Sequence, residues 1–349
     1  MIQNWKKLLD QFIDFKVLLL LLIFLFSGCI FGQKKERDSL NFVYYPDKIM
    51  IRANLSTQND SQILEDKLGP SIDLETNNSY KLFLAVDYKF IGFSYGFYPK
   101  FINGNKDEDT KGSSKFSEYN FRFFLGKWVQ TIEYSKIRGY YVENTSDFIP
   151  EWNPENDPYI LFPNLKTVKY GMSTSYIFNP NFSIKSVTSF TEWQKKSSGS
   201  FIPIFIYDYK KISFQTDLLS SSQNEYDFNL GFGYFYNFII AEKFYIAPNL
   251  TPGLGVKITA SKTTSDGVET LENYNYLTSS IVGGFKMGYN SNRVLFGASL
   301  NFESTYYQAD ENQEIYNNKV FALLYFGYRL DAPNFISRPV KKIDDKLKF

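Results

Sequence analysis

Residues 228–238 place the strongest constraint on how this chain can fold. Apolar and aromatic side chains occupy every second position, and asparagine or glycine fills four of the five positions between them. In an extended strand this spacing puts the aromatic set on one face and the polar set on the other. About 11 residues at about 3.3 Å each, tilted by about 45°, rise about 25 Å, which is the height of the apolar band of an outer-membrane barrel. The stretch therefore predicts a membrane-spanning β-strand.

The same alternation recurs along the chain and predicts about 12 strands, within a range of about 10 to 14. Because every backbone N–H and C=O must be paired in lipid, such strands can span a membrane only as a closed sheet. We therefore predict an all-β transmembrane protein, an antiparallel up-and-down β-barrel. The expected wall strands are 48–56, 81–88, 93–97, 119–125, 128–137, 168–178, 182–191, 228–238, 244–259, 276–289, 293–303 and 320–330.

Residues 192–227 do not fit this pattern, and we predict a loop there. Its centre is apolar without alternation and contains a proline, which is awkward in a central strand. This assignment makes long and short connections alternate, as in barrels with surface loops and periplasmic turns. We expect the apolar centre to be a plug or gate, a site for a hydrophobic ligand, or a strand extending above the membrane. It consists of Phe201, Ile202, Pro203, Ile204, Phe205, Ile206 and Tyr207.

The N-terminal residues 1–32 have the features of a secretory signal peptide, with early lysines, an apolar stretch at 17–26 and small residues after it. Cleavage after Gly32 is favoured over a lipoprotein site at Cys29, because Ile30 and Phe31 are unusually apolar for a lipoprotein start. This predicts an outer-membrane location and a layout of signal peptide (1–32), periplasmic segment (33–44), barrel (45–330) and periplasmic tail (331–349). The expected partners are outer-membrane lipid and the barrel-assembly machinery.

The composition limits the chemistry of the chain, because it contains no histidine and a single cysteine, Cys29. A Ser-His-Asp triad, a Cys-His pair and a histidine-bound zinc site are therefore excluded. The net charge of +1, without a long basic run, argues against a nucleic-acid partner. We predict a protein that is not an enzyme and has no catalytic residues, cofactor or metal.

If the aromatic faces meet lipid, a set of mostly basic residues should face the lumen. One interpretation is a lumen that prefers small anionic solutes, since rings of charge set pore selectivity. The other is that these side chains form salt bridges that fill a narrow lumen. The set comprises Lys48, Arg52, Lys81, Asp87, Arg122, Glu133, Lys169, Lys185, Lys286, Arg293 and Glu303.

Three functions are compatible with these features. The first is a narrow conduit or a structural or binding barrel without enzymatic activity. The second is a surface adhesin or partner-binding module that uses the aromatic loop 138–164. The third is a lipid-active barrel enzyme that uses tyrosine or the carboxylates of Asp87, Glu133 and Glu303. A secreted β-sandwich or soluble barrel is the alternative fold, but the predicted strands are longer than the usual five or six residues.

Four short motifs resemble a known family. They are Tyr-Pro-Asp-Lys at 45–48, Gly-Phe-Ser-Tyr-Gly-Phe at 92–97, Phe-Pro-Asn-Leu at 162–165 and Lys-Ser-Ser-Gly-Ser-Phe-Ile-Pro at 196–203. Together they are similar to the family catalogued as domain of unknown function 4421. The resemblance implies an exported bacterial protein that forms an outer-membrane barrel and has no assigned activity, so it carries over no catalytic residue.

Overall fold

A computed structural model of the protein describes residues 41–64, 71–216, 219–265, 267–308 and 314–347. The predicted signal peptide and Cys29 lie outside the described residues. The strands are β1 (Phe42–Tyr44), β2 (Lys48–Ser56), β3 (Ser61–Leu64), β4 (Ile72–Glu75), β5 (Lys81–Tyr88), β6 (Ile91–Phe97), β7 (Lys115–Leu125), β8 (Trp128–Val142), β9 (Leu161–Tyr176), β10 (Glu192–Gln194), β11 (Ser198–Gln215), β12 (Leu219–Ile240), β13 (Phe244–Ser265), β14 (Val268–Asn290), β15 (Val294–Gln308) and β16 (Glu314–Asp331).

Twelve of these strands form a closed antiparallel barrel, which confirms the predicted fold class and strand number. Around the wall the order is β2, β5, β6, β7, β8, β9, β11, β12, β13, β14, β15 and β16, so each strand pairs with its neighbours in this sequence. The ring closes where β16 pairs with β2, with Tyr328 opposite Ile51. No edge of the wall is left unpaired, as a sheet in lipid requires.

The two ends of the barrel differ in their connections. At one end, called the turn end here, the wall begins at Lys48 and finishes at Asp331, and these two side chains form an ion pair of 2.5 Å. The connections at 89–90, 126–127, 177–197, 241–243 and 291–293 lie at the same end. The opposite end, the loop end, contains the connections at 98–114 and 143–160 and the hairpin of β3 and β4. The wall-strand ends at Gln215, Leu219, Ser265, Val268, Gln308 and Glu314 lie at this end too.

Strand β12 contains the predicted strand 228–238 and has the expected two faces. Phe232 and Tyr234 are 47% and 54% exposed on its outer face, where an outer-membrane barrel meets lipid. On the inner face Gly231 and Gly233 are buried, and Asn237 is 1% exposed. A Cβ atom at Gly231 would lie 2.7 Å from Cγ2 of Thr251 on β13. These glycines therefore make room for the neighbouring wall strand.

Two predictions for the middle of the chain were wrong. Residues 201–207, predicted as a loop, lie within wall strand β11, which pairs with β12 and β9. Residues 182–191, predicted as a wall strand, belong to the connection between β9 and β11. Pro203 fits the wall because the ladder between β11 and β9 starts one residue later, at Ile204. The alternation of β11 is hidden because its inner face also carries isoleucines.

The hairpin of β13 and β14 extends beyond the predicted wall strands 244–259 and 276–289. Strand β13 continues to Ser265 and β14 begins at Val268, so only two residues separate the two strands. Residues 268–273 are exposed, which places both faces of this hairpin in solvent. Beyond the apolar band neither face has to be apolar, so the alternation that marks a membrane strand is lost there.

The helical content of the described residues is small. Helix α1 (Glu108–Lys111) lies in the loop at 98–114, and 3₁₀ turns occur at Asn103–Asn105 and Thr145–Asp147. After the last wall strand, residues Asn334–Leu347 form helix α2. In the part of the chain that the structure describes, no helix combines the length and the apolar character needed to cross a membrane.

Candidate functional site

The connection between β9 and β11, residues 177–197, forms a plug inside the barrel. Phe182, Phe190 and Trp193 are 0%, 1% and 4% exposed. The Lys185 ammonium lies 5.6 Å from the ring centre of Phe124 on β7, and the Val187 carbonyl accepts a hydrogen bond from β14. Strands β7 and β14 lie on opposite sides of the 12-strand ring. A segment that reaches both must cross the lumen.

Aromatic side chains pack the plug against the wall. The Phe190 ring lies 5.8 Å from the ring of Tyr325 and 6.2 Å from that of Tyr245, and these two tyrosine hydroxyls hydrogen-bond each other. Trp193 packs edge-on against Tyr245 at 5.5 Å. Met50 and other buried residues from the wall complete the same cluster. Burial of this size stabilises the plug in place, because each fully buried large side chain contributes about 1.5 to 3 kcal/mol.

Polar contacts fix the plug backbone in one position. Arg329, which is 2% exposed, donates to the Phe190 carbonyl through Nη2 at 2.9 Å and also to the Ser291 carbonyl. Asn237 donates from Nδ2 to the Ser183 carbonyl at 3.0 Å. Buried carbonyls without a partner would be costly, so wall side chains supply the donors that a strand ladder supplies elsewhere.

The residues before the barrel take part in the plug. Strand β1 pairs antiparallel with β10, so that Val43 lies opposite Trp193. The Trp193 indole donates to the Glu242 carbonyl at 2.8 Å. The Tyr45 ring lies 3.9 Å from the Arg329 guanidinium. Burial raises the pKa of Tyr45, and the positive charge of Arg329 opposes this shift. The N-terminal segment and the plug therefore form one layer across the turn end.

A cavity of about 630 Å³ lies in the lumen and reaches the loop end, where Ser61, Gln62 and Ile63 contribute to its lining. We call it the acidic cavity, because its charged lining comprises five carboxylates and three lysines. Its charged residues are Glu133, Asp208, Glu225, Asp227 and Glu303 with Lys169, Lys210 and Lys257. The Lys169 side chain is 32% exposed and that of Glu133 27%, so both remain in contact with solvent.

The lysines of the acidic cavity pair with carboxylates on neighbouring strands. Lys169 lies 3.3 Å from Glu133 and 3.2 Å from Asp208. Glu225 accepts from Lys210 at 2.8 Å and from Lys257 at 3.0 Å. These pairs run along the wall from β8 to β13. They brace the sheet without crossing the middle of the lumen.

A second cavity of about 310 Å³ lies against the plug residue Thr188, and we call it the basic cavity. Its lining includes Arg52, Arg122 and Lys286 but no carboxylate. Asp87, which is fully buried, lies behind the two arginines. Its oxygens lie 2.7 Å from Nη2 of Arg52 and 3.3 Å from Nη2 of Arg122. Lys286 donates to the Val187 carbonyl of the plug at 2.7 Å.

At the loop end, β3 and β4 form a hairpin. Strand β4 pairs with the part of β8 that extends past the end of β7. Leu74 pairs with Val142 of β8 and is fully buried. Gln62 on β3 donates to Thr167 of β9 at 2.7 Å. Asp60, just before β3, forms an ion pair of 2.8 Å with Lys81. The hairpin therefore covers part of the lumen from this end.

The structure places most of the predicted lumen residues on inner faces of wall strands, with some exceptions. Lys185 belongs to the plug and lies 4.0 Å from Glu192. Arg293 is exposed in the turn between β14 and β15, so its assignment to the lumen was wrong. Lys48 lies at the rim of the turn end. The residues on the inner faces are Arg52, Lys81, Asp87, Arg122, Glu133, Lys169, Lys286 and Glu303.

Other predicted sites are also placed by the structure. Residues Phe201–Tyr207 form wall, and the plug comes from the segment before them. In the aromatic loop, the Trp152 ring packs against Tyr159 at 4.6 Å, and Tyr159 packs against Tyr141 at 4.8 Å. Among the described residues, no group of three or more acidic, histidine or cysteine side chains is arranged to hold a metal ion.

Sequence reasoning missed Asp208, Lys210, Glu225 and Asp227 because it assigned residues 192–227 to a loop. It also missed Lys257, which lies within the predicted wall strand 244–259. A usable signal was present in β11. Ile202, Ile204, Ile206, Asp208 and Lys210 occupy alternate positions, which is the spacing of one strand face. Had residues 198–215 been assigned to the wall, this spacing would have placed the last two charges in the lumen.

The sequence matches the family described as Domain of unknown function (DUF4421) over residues 36–330. The chain belongs to this family. With its closed wall and outward aromatic faces it is an outer-membrane β-barrel. No curated protein matches the chain.

Several solved structures are similar to this chain. The outer membrane protease OmpT from Escherichia coli is 7% identical, with 84% of this chain and 98% of that chain covered and a TM-score of 0.32. The translocator domain of autotransporter NalP from Neisseria meningitidis is 7% identical, with coverage of 84% and 90% and a TM-score of 0.33. LpxR from Salmonella typhimurium is 10% identical, with coverage of 80% and 99% and a TM-score of 0.31.

Proposed function

We propose that the protein is a non-enzymatic outer-membrane barrel that binds a small solute in its lumen and is closed toward the periplasm by the plug. The observation that carries this proposal is the buried segment 177–197, which crosses the lumen between opposite walls. A lumen blocked at one end and hollow at the other suits binding better than free diffusion. Passage through the barrel would require the plug to move.

The orientation follows from the connections. Outer-membrane barrels keep short turns on the periplasmic side and longer loops outside. The two ends of the wall and four connections of two or three residues lie at the turn end, together with the plug. We assign the turn end to the periplasm, which makes the acidic cavity the part of the lumen nearest the exterior.

The absence of enzymatic activity is supported by the state of the candidate carboxylates. Asp87 is fully buried between Arg52 and Arg122, so it cannot reach a substrate. Glu133 is paired with Lys169. Glu303 lines the acidic cavity opposite Lys319 in the register of β15 and β16. Asp208 pairs with the same lysine as Glu133, so both of these carboxylates are held in ion pairs.

Conductance in planar bilayers tests the closed end. Ser175 pairs with Ile204, and the same register extended by six residues puts Asn181 opposite Ser198. Replacing residues 182–197 with Asn-Gly therefore joins β9 to β11 by a two-residue hairpin turn without a shift in register. The full-length barrel should show almost no current, and the replacement should open a stable conducting state, because the plug no longer crosses the lumen.

The control variant shortens a loop at the opposite end of the barrel. Replacing residues 150–157 with a short Gly-Ser linker leaves the plug intact and should leave the barrel closed. Both variants must show heat-modifiable gel migration, which reports a folded barrel. An open full-length barrel, or a folded plug replacement that stays closed, would contradict the proposal.

A further inference from the structure

Three cationic side chains converge on the basic cavity from different walls. Arg52 is on β2, Arg122 on β7 and Lys286 on β14, and all three contribute to its lining. Among the residues that the structure describes, Asp87 is the one carboxylate bonded to them, through the two arginines. These four groups therefore carry a net charge of +2. In a water-poor interior, uncompensated charges of one sign repel each other strongly.

The two arginines retain donors that no protein group uses. The Nε atoms of Arg52 and Arg122 are both buried without a hydrogen-bond partner among the described residues. Arg52 is 5% exposed as a whole. Buried donors of this kind are normally satisfied, because a missing hydrogen bond costs free energy. Their common position beside one cavity indicates that something absent from the chain itself accepts these hydrogen bonds.

Lys286 adds a third positive group. Its ammonium donates to the Val187 carbonyl of the plug and lies 5.6 Å from the ring centre of Tyr325. Within the described ranges, no carboxylate lies within salt-bridge distance of it. An ammonium has three donor hydrogens, so the contact with Val187 leaves it able to bind a further acceptor.

Part of the remaining lining is polar and suits a hydrated anion, while Phe83, Phe321 and Leu323 contribute apolar surface. Asn54, Asn120, Ser94 and Thr188 supply neutral hydrogen-bonding groups around the three cations. A volume of about 310 Å³ corresponds to about ten water molecules at about 30 Å³ each. A small oxyanion with a few bridging waters would fit, whereas a polymer or a lipid would not.

The other buried arginine of the lumen provides a contrast. Arg329 also contacts the plug, but its guanidinium donates to two carbonyls and to Asn290, so its hydrogen-bonding capacity is used by the protein. Anchoring the plug thus explains Arg329. It does not explain why Arg52 and Arg122 keep free Nε donors beside a cavity.

We propose that the basic cavity binds a small oxyanion, of the phosphate or small-carboxylate class, between Arg52, Arg122 and Lys286. This proposal rests on the proposed function as a binding barrel and specifies the class of solute. Charge-assisted hydrogen bonds from guanidinium groups match the geometry of such anions, and the nearby ammonium adds a third positive contact. The plug forms part of the site through Thr188.

Isothermal titration calorimetry on the folded full-length barrel in detergent micelles tests the site. Inorganic phosphate and succinate are titrated separately at constant ionic strength, with sodium chloride as the reference anion. At least one of the two should bind saturably with one site per chain. The anion that binds with the higher affinity identifies whether the site prefers a phosphate or a small carboxylate.

Two variants locate the binding. Arg122→Gln and Lys286→Met should each weaken the affinity about tenfold or more, since a hydrogen bond to a charged group is lost. Arg122→Lys keeps the charge and should recover part of the affinity. Lys127→Gln removes one positive charge from an exposed turn and should change the affinity less than about twofold. Heat-modifiable migration confirms that each variant is folded.

Different results would contradict the oxyanion site and the closure of the barrel by the plug. Absence of saturable binding by either anion in the folded barrel would overturn the oxyanion site, even if the barrel is closed. Equal losses in Lys127→Gln and Arg122→Gln would also overturn it, since binding would then follow overall charge. A barrel that conducts but still binds phosphate would contradict only the closure by the plug.

Discussion

The plug region and the acidic cavity use similar residue types in opposite ways. At the turn end, aromatic and cationic side chains of the wall point across the lumen and contact the plug, as Tyr245, Tyr325 and Arg329 do. In the acidic cavity, charged side chains pair with neighbours on the wall, as Lys257 does with Asp227 directly opposite it in the ladder. The first arrangement fills the lumen, and the second leaves it hollow.

The difference shows how one barrel can be both stable and hollow. The aromatic contacts to the plug are buried and apolar, so their strength depends on packing and little on salt. Contacts along the wall of the acidic cavity are partly solvated ion pairs, which are weaker and screened by salt. The turn end should therefore contribute most of the stability of the lumen, while the acidic cavity keeps room for a solute.

The largest effect is expected from Phe190→Ala in the plug. Phe190 is 1% exposed, and truncation of a buried phenylalanine costs about 3 to 5 kcal/mol of unfolding free energy. The matched control is Phe232→Ala on the outer face of β12, where the side chain is 47% exposed. Urea unfolding in detergent micelles measures both. Equal losses in the two variants would mean that the plug adds little to the stability of the barrel.

A smaller and salt-dependent effect is expected from Glu225→Gln in the acidic cavity. The Glu225 carboxylate is 6% exposed and accepts from Lys210 and Lys257, whose side chains are 26% and 16% exposed. Its loss should therefore cost about 1 to 2 kcal/mol at low salt and somewhat less at high salt. Urea unfolding at two salt concentrations gives the difference. Glu155→Gln, at an exposed loop position, is the control. A loss that does not change with salt would show that this pair is not screened.

The smallest effect is expected outside the lumen, at Glu108 of helix α1. A hydrogen bond and charge attraction from Lys100 lower the pKa of Glu108 below its ordinary value of 4.5. Because the folded-state pKa is the lower one, the pair stabilises the loop above the ordinary pKa and loses this contribution as pH falls through the lowered value.

Carboxyl NMR of the folded barrel measures this titration. Lys100→Gln should return the pKa of Glu108 toward 4.5, whereas Lys106→Gln, in the same loop, should leave it unchanged. A pKa of Glu108 at or above 4.5 in the unmodified barrel would contradict the expectation. Because the Glu108 side chain is exposed, unfolding measurements should detect little change.

The wall could be predicted from sequence because lipid imposes one rule on every strand. Strand β12 shows this rule most clearly, with Phe232 outside and Gly231 and Gly233 inside, and it is the eighth wall strand as the count of alternating segments predicts. The plug does not follow this rule, because it does not meet lipid. Residues 182–191 alternate like a strand, but Phe182 and Phe190 face the interior of the lumen and not lipid.

The error at β11 has the same physical origin. Its inner residue Ile202 is 2% exposed and packs in one cluster with Ile177 and Phe182 of the plug. An inner face that meets a plug is apolar, so both faces of β11 are apolar and the alternation disappears. Periodicity reports which faces differ in polarity. It cannot reveal a wall strand whose inner face is apolar because a plug covers it.

The basic cavity could be predicted only in part. Alternation alone assigned Arg52, Arg122 and Lys286 to the lumen, but strand periodicity gives no distance between strands that are far apart in sequence. Their convergence depends on the closure of the ring and on the plug beneath them. The separation of basic and acidic residues into two cavities is likewise a property of the closed barrel.

The pairing of β1 with β10 has a consequence for how the barrel is assembled. Strand β1 directly precedes the first wall strand, and Arg329 of the last wall strand binds the Phe190 carbonyl. The plug is therefore attached to both strands that must meet when the ring closes. Joining chain ends that are hundreds of residues apart carries a loop-closure cost, and an intermediate anchor divides that loop into shorter ones. The segment that blocks the passage therefore also links the two strands of the final seam in the folded barrel.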